Sequence, residues 1–318
     1  MIMNTMNKYQ LKKIGIQSEP DKYVIACISE ADLDYRLVNE VKKFKIVGSE
    51  QWYRDPKYWY RVRSNPLYDI AKRERDILEK NKSEISKLIA RMRKVFFGIG
   101  TGEVEQNIIK LDFCPNRKTN YSEIIVVDIC SEFITNCADI LKSYHRKYQN
   151  WTMRYLGFQQ LFEDFNLNNY EIPTRYNRSA FVCLGNTIGN FIQDQIFMIL
   201  SNNMRKDDLL LLGFEMLNNE TDYIESYKTV GGFRSLVDAI VQKIISIKIP
   251  GMRSLFSSTT WKFNNNGNWV EAVSNDTVIF RSKKYVPGEV SKMAKKYRLI
   301  EVFTDEDSDI GLNIYRKY

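Results

Sequence analysis

Histidine is nearly absent from this chain of 318 residues. His145 is the one example, in the polar stretch Tyr144-His145-Arg146-Lys147. A Ser-His-Asp triad, a Cys-His pair or a histidine-rich metal site would each have to run through it, so those classes are set aside and no metal site is expected. Cysteine is scarce as well. The five residues Cys27, Cys114, Cys130, Cys137 and Cys183 contain no CxxC pair and form an odd set, which reads as a reduced, cytoplasmic protein rather than a disulfide framework. Cys27, Cys130 and Cys183 lie in apolar runs, where a thiol behaves as a small buried hydrophobe. No apolar stretch approaches the length of a membrane span. Residues 1–13 are polar and lack the apolar core of a signal peptide. No internal repeat or low-complexity tract is visible.

Charge is plentiful but dispersed. The 47 Lys+Arg exceed the 39 Asp+Glu by 8, and the excess is scattered over residues 42–43, 61–75, 87–94 and 283–296. No single basic block forms, so a nucleic-acid partner is not expected. Length favours one large domain with a smaller lobe.

Periodicity then separates the elements. Between Pro66 and Arg93 the apolar residues Ile70, Ile77, Leu78, Ile85, Leu88, Ile89 and Met92 recur at helical spacing, with Asn65 suited to cap that helix and Pro66 to its first turn. Short β-branched and apolar runs follow at residues 94–97, 123–127, 152–156, 180–184 and 209–214, with helical stretches at 103–110, 132–144 and 193–204 between them. Repeated strand–helix units predict an α/β fold with a mainly parallel, doubly wound sheet. Residues 299–303 and 310–315 read as a terminal hairpin that adds an antiparallel strand. Residues 66–212 with 289–318 are expected to form the sheet domain. Residues 1–65 with 213–288 are expected to form a smaller α+β lobe over the sheet's carboxyl edge, where open parallel sheets bind ligands.

Three segments carry the chemistry. Gly98-Ile99-Gly100-Thr101-Gly102 follows a strand and precedes a helix, and glycines there let the backbone turn tightly and approach a ligand. The bland reading is a structural turn. Asp128 ends the next strand, where a carboxylate can accept both ribose hydroxyls of a nucleoside; its bland reading is a helix cap. Loop and carboxylate together favour a nucleoside cofactor, and a nicotinamide-dependent enzyme shares both. The third segment, Leu184-Gly185-Asn186-Thr187-Ile188-Gly189-Asn190-Phe191, sets small and polar residues against the same crevice. Asn190 there offers both a donor and an acceptor, or else serves as a turn or helix cap. The aromatic cluster from Trp52 to Tyr60 reads as lobe core and pocket wall in preference to a base-stacking surface.

The Leu184–Phe191 segment resembles the signature of the histidine-specific methyltransferases of ergothioneine biosynthesis, which trimethylate the α-amino group of an amino acid with S-adenosylmethionine. The likeness extends to Pro66-Leu67-Tyr68 with Glu74 and Ile77-Leu78, to the glycine loop and Asp128, and to Leu211-Leu212-Gly213-Phe214-Glu215. It continues through Tyr227 to Phe303-Thr304-Asp305 and Asp309-Ile310-Gly311-Leu312. This resemblance implies a Rossmann-like class I methyltransferase sheet and S-adenosylmethionine as cofactor. Its contacts would be Gly98, Gly100, Thr101, Gly102, Asp128, Asn186 and Thr187.

It further implies that Asn190 and Tyr227 hold the acceptor's ammonium and carboxylate, that Tyr53 and Tyr68 line the side-chain pocket, and that Ser282 reads the acceptor. Two positions depart from the family pattern. Phe280 stands where the family has an acidic reader of imidazole, so free histidine is not the expected acceptor. Gln159 stands in a Gly-Phe-Gln-Gln stretch where the family has an aspartate that contacts adenine, and Gln159 is expected to take over that contact. The expectation is a monomeric N-methyltransferase acting on a small-molecule amine or amino acid. The alternatives are a 3-amino-3-carboxypropyl transferase and a non-catalytic binding module on the same scaffold.

Overall fold

The computed structural model describes residues 24–26, 28–170, 172, 174–191, 195–218, 222–247, 259–305 and 309–318. Residues 1–13, Cys27 and the first two residues of the helix expected at 193–204 lie outside them. In chain order the elements begin with β1 (Val24–Ala26) and α1 (Glu30–Phe44), then α2 (Pro56–Arg63), α3 (Ile70–Lys80) and α4 (Lys82–Ile89). Next come β2 (Arg93–Phe97), α5 (Glu105–Lys110), β3 (Asn120–Asp128), α6 (Ser131–Lys147) and β4 (Trp151–Gln159). β5 (Ser179–Cys183), α7 (Gln195–Asn203), β6 (Leu209–Glu215), α8 (Tyr223–Thr229) and α9 (Gly231–Ser246) follow. The chain closes with β7 (Thr259–Asn264), β8 (Trp269–Ser274), β9 (Thr277–Lys283), α10 (Glu289–Met293), β10 (Tyr297–Thr304) and β11 (Ile310–Lys317).

Among the described residues, eight strands form one sheet in the order β1-β4-β3-β2-β5-β6-β11-β10. The pairs from β1 to β6 are parallel. β11 runs antiparallel to β6, with Leu212 opposite Asn313, and β10 runs antiparallel to β11. The fold is therefore the expected α/β, Rossmann-like sheet with a terminal antiparallel hairpin. The hairpin's second strand is wedged between β6 and β10 rather than added at the edge. The other edge carries β1, a strand from the N-terminal part of the chain that extends the large sheet beyond β4.

Alternation along each strand builds two cores, one on each face. Phe96, Ile124, Val126 and Leu211 face α3 to α6, whereas Val95, Phe97, Ile125 and Leu212 face α7 and its neighbours. A third core joins Leu37 and Val41 of α1, Val62 of α2 and Phe233 of α9 to Phe280 of the three-stranded antiparallel sheet β7-β8-β9. It forms the α+β body next to the sheet.

The long helical pattern from Pro66 to Arg93 is broken at Asn81, whose side-chain amide donates to Ile77 O at 2.8 Å and ends α3. Asn65 does not cap a helix. Its side chain accepts from Leu67 N–H at 2.9 Å and its carbonyl from Tyr68 N–H at 2.9 Å, making a turn before α3. This turn sets Tyr68 against Phe233, with ring centroids 5.6 Å apart.

The chain runs from β2 outward to β3 and β4, then crosses back to place β5 on the other side of β2. A crevice opens at the carboxyl ends of β2 and β5, where the strand order reverses. The glycine loop after β2 and the Gly185–Asn190 segment after β5 flank it.

Candidate active site

Gly98 stays tied to the sheet through its N–H, which donates to Val127 O at 3.0 Å. It has φ 76° and Gly100 has φ 49°, left-handed backbone that a side chain would strain. A Cβ on Gly98 would come within 3.3 Å of Thr187 Oγ1, and one on Gly100 would stand 3.8 Å from Trp59 Nε1. The bare backbone therefore leaves room in front of the loop. Gly102 N–H donates to Ile99 O at 2.9 Å and closes the turn into α5.

Asp128 fastens this loop. One carboxylate oxygen accepts Ile99 N–H and the other accepts Cys130 N–H, both at 2.9 Å. The residue thus bonds the start of α6 and holds the glycine loop at once. The N–H groups of Gly100 and Ile129 also act on this carboxylate. Burial pushes its pKa up to about 6, against the backbone N–H groups that lower it.

The strand β5 ends in a turn held by a buried carboxyl. Gly185 N–H lies 2.9 Å from both oxygens of Glu74, a fully buried residue of α3 whose pKa burial raises to about 7. Thr187 Oγ1 donates to Leu184 O at 2.7 Å. Asn190 Nδ2 donates to the Tyr53 hydroxyl at 2.9 Å. The hydroxyl end of Tyr53 sits deep, and burial raises its pKa far enough to keep it neutral at physiological pH.

A cleft enclosing about 840 Å³ of space, open solvent included, joins these groups. Gly98, Gly100, Thr101 and Asp128 line one part of it, and Thr187 and Asn190 another. Tyr53 and Tyr68 face it from the N-terminal part of the chain.

Other expected residues stand apart from its wall. Gln159 turns its amide to Ile129 O at 3.2 Å, and Gln160 is the glutamine that reaches the cavity. The reason is strand alternation: successive side chains point to opposite faces. Asn186 is buried at φ 55°, accepting Glu215 N–H at 3.2 Å and donating to Ser282 Oγ at 3.2 Å, so it latches β6 to β9. Ser282 also accepts from Lys284 Nζ at 3.4 Å. The fully buried Lys284 ammonium donates to Tyr227 OH at 2.8 Å and to the Glu215 carboxylate. Phe280 is packed in the third core, 4.6 Å from the Trp52 ring centroid and 5.3 Å from that of Phe233. Gly102 lies behind the loop, where a Cβ would be 3.4 Å from Ile140 Cδ1.

Trp59, from the aromatic cluster read as pocket wall, lines the cavity, and the structure adds wall residues that the sequence reading did not single out, among them Arg63 and Glu105. Trp59 meets Tyr53 and Tyr68 edge-on, at centroid distances of 5.1 and 6.0 Å. Glu105 did have a signal: it occupies the same helical stripe as the buried Ile108 and Ile109, where a carboxyl calls for a reason. Arg63, one basic residue among many in its stretch, had none.

Residues 54–236, more than half of the chain, match the family of histidine-specific, S-adenosylmethionine-dependent methyltransferases. The chain belongs to this family. The match includes the loop, Asp128, Asn190 and Tyr227, starts one residue after Tyr53, and ends before Phe280 and Ser282. The chain is similar to the histidine N-alpha-methyltransferase of Mycobacterium tuberculosis (strain CDC 1551 / Oshkosh), with 25% identity over 203 residues. That match covers 60% of this family member and 60% of its relative's length. A solved structure of a Pyrococcus horikoshii OT3 protein is similar with a TM-score of 0.43 and 14% identity, over 82% of this chain and 98% of that one. The glycopeptide N-methyltransferase MtfA in complex with S-adenosylmethionine gives 0.42 and 9%, over 76% and 94%. No described helix of this family member is long and apolar enough to cross a membrane.

Proposed function

We propose that the protein binds S-adenosylmethionine in this cavity and transfers its methyl group to the amino group of an amino acid or amino-acid-like small molecule other than free histidine. One observation carries the reading: a single cavity joins the glycine loop and Asp128 to the Asn190–Tyr53 pair.

The nucleoside end fits what the chain offers. Asp128 ends its strand at the crevice, where a carboxylate accepts ribose hydroxyls, and the glycine loop leaves space for close approach. When bound, the cofactor supplies an activated methyl on a sulfonium, so the protein's task is alignment rather than activation. Trp59, Tyr53 and Tyr68 wall the cavity with aromatic rings, and a ring face favours a positively charged sulfonium or methylated ammonium.

Asn190 and Tyr53 then act as one unit. With Nδ2 directed at Tyr53, Oδ1 of Asn190 is available to accept an N–H of the acceptor amine. The Tyr53 hydroxyl, accepting from Asn190, directs its own proton to the acceptor's carboxylate. A phenol held neutral by burial positions but does not take a proton, so the amine reaches its reactive neutral form by losing a proton to water.

The two positions that the family resemblance assigns to reading an imidazole supply no reader here. Phe280 offers no hydrogen bond, and Ser282 is engaged by Asn186 and Lys284. An imidazole N–H that depended on those two positions would be left without a partner, at a cost of about 1–3 kcal/mol. An apolar or aromatic acceptor incurs no such cost. A mass-spectrometric screen with methyl-labelled cofactor over amino acids, small amines and peptides tests this. Label on tryptophan-like or apolar amino acids supports it, and preferential labelling of histidine overturns the substrate assignment.

A further inference from the structure

The two edges of the large sheet are unlike. One ends in β1, which is three residues long. The other ends in β10, which has eight, and among the described residues no strand pairs with its outer side. Arg298, Leu299, Glu301, Val302 and Thr304 are exposed and Ile300 is half-buried, so neither helical layer covers this strand. Natural proteins blunt such an edge with lysine, proline or a short strand. The sequence Tyr-Arg-Leu-Ile-Glu-Val-Phe-Thr has none of these and is rich in β-branched and aromatic residues. We propose that β10 pairs antiparallel with β10 of a second copy of this chain, about a twofold axis between Leu299 and Ile300. The resulting dimer takes the place of the monomer expected from the sequence.

Self-complementarity selects a second copy as the partner. The ladder from β10 to β11 shifts register between Leu299 and Glu301. Arg298 lies opposite Arg316 and Glu301 opposite Ile314. Arg316 and Ile314 are two apart on one strand and share a face, so Arg298 and Glu301 share it as well. By the same register Tyr297, Leu299 and Val302, opposite Lys317, Tyr315 and Asn313, share the other face. A bulge ordinarily turns an edge away from neighbours; this one sets an acid and a base on one face and three apolar residues on the other. Leu299 is 39% exposed and Val302 49%. About the proposed axis, Arg298 of each copy meets Glu301 of the other. On the opposite face Tyr297 of each copy meets Val302 of the other, and the two Leu299 side chains flank the axis.

Pairing gives the outer N–H and C=O groups of β10 the partners that an edge lacks, and it runs the two sheets into one. Opposite charges facing each other across the strands add to it, and like charges there would oppose it. The contact is smaller than a standard protein interface, so the dimer is expected to be a weak one with a micromolar dissociation constant. No residue of β10 lines the cleft. The dimer therefore does not rest on the proposed reaction, and turnover per chain is expected to be the same in both states.

Sedimentation velocity of the full chain, from low to high micromolar concentration, tests the proposal on the unsubstituted protein and on Arg298→Glu, Glu301→Arg and Val302→Lys. The unsubstituted chain is expected to pass from monomer to dimer over this range. Each charge reversal is expected to weaken the dimer about ten- to a hundredfold. Val302→Lys, which installs the usual edge lysine, is expected to abolish it. Mixing decides the register. Arg298→Glu and Glu301→Arg chains present only opposite charges to one another across the axis, so an equimolar mixture is expected to dimerise where each alone does not. Hydrogen exchange at β10 is expected to slow as concentration rises in the unsubstituted protein and to stay fast in Val302→Lys. A chain that remains monomeric throughout overturns the proposal. A dimer that all three substitutions leave intact lies on another surface and overturns it as well, and failure of the mixture to pair overturns the proposed register.

Discussion

Asn190 donates a hydrogen bond to the hydroxyl of Tyr53 across 2.9 Å, linking the segment after β5 to a residue 137 positions earlier in the chain. The bond fixes the orientation of both groups at the cavity. It also means that neither residue can be altered without releasing the other.

Removal of either partner is therefore expected to harm turnover more than cofactor binding. Tyr53→Phe keeps the ring and deletes the hydroxyl, and Asn190→Ala deletes the amide. Each should lower kcat/KM for the acceptor about ten- to a hundredfold, the worth of a hydrogen bond to a charged group. The Kd for S-adenosylmethionine should stay nearly constant. Steady-state kinetics with a calorimetric Kd check this, and the double variant should lose much less than the sum of the two.

Asp128→Asn should act in the opposite sense. The amide oxygen can still accept one N–H, but the other, from Ile99 or Cys130, would then face an NH₂. The expected result is a loss of about 1–3 kcal/mol in stability and a marked rise in the cofactor's Kd. Urea unfolding and titration read the two effects separately.

Stability should decline as pH rises through neutrality. Burial raises Asp128 to about 6, Glu74 to about 7 and Glu105 to about 8. A carboxyl whose pKa is raised in the folded state contributes stability that is complete at acid pH, below its ordinary value, and is lost as pH climbs through the raised one. Each group then costs up to about 1.4 kcal/mol per pH unit within its window. Urea midpoints between pH 5 and pH 8 should fall, and Glu105→Gln should flatten the upper part of that fall.

Lys284 should be a fold-critical cation. It is fully buried and joins Glu215, Tyr227 and Ser282, so Lys284→Met leaves the Glu215 charge without its partner. A loss of about 3–5 kcal/mol is expected. Tyr227→Phe removes only the hydroxyl that accepts from Lys284 and should cost about 1 kcal/mol, with a smaller effect on turnover than Asn190→Ala. Thermal unfolding and kinetics on the same samples distinguish the two.

The parts legible in the sequence were those that local periodicity or a short motif encodes. Strand runs such as Leu209 to Phe214 matched β6, because a strand buried on both faces is continuously apolar. The glycine loop and Asp128 meet as expected, since one strand–turn–helix unit places each. The position of Asn190 against Tyr53 was harder to read, because it depends on how two distant segments pack. Gln159 ends β4 and Gln160 follows it, and that single step decides which of them reaches the cavity. Asn186, Ser282 and Tyr227 are polar residues that a motif assigns to a ligand, while the fold gives them each other and Lys284 as partners. Glu74 and Glu105 betrayed themselves as carboxyls on apolar helical stripes. Arg63 is set in place only by the packing of α2 over the loop.

The central claim, methyl transfer to an amino-acid amine other than histidine, is tested most directly by identifying and counting the cofactor's by-product. Chromatography of reactions with tryptophan-like acceptors and with histidine should show S-adenosylhomocysteine rising in proportion to methylated product for the former and staying at background for the latter. Methylthioadenosine as the by-product, or S-adenosylhomocysteine formed with histidine alone, would contradict it.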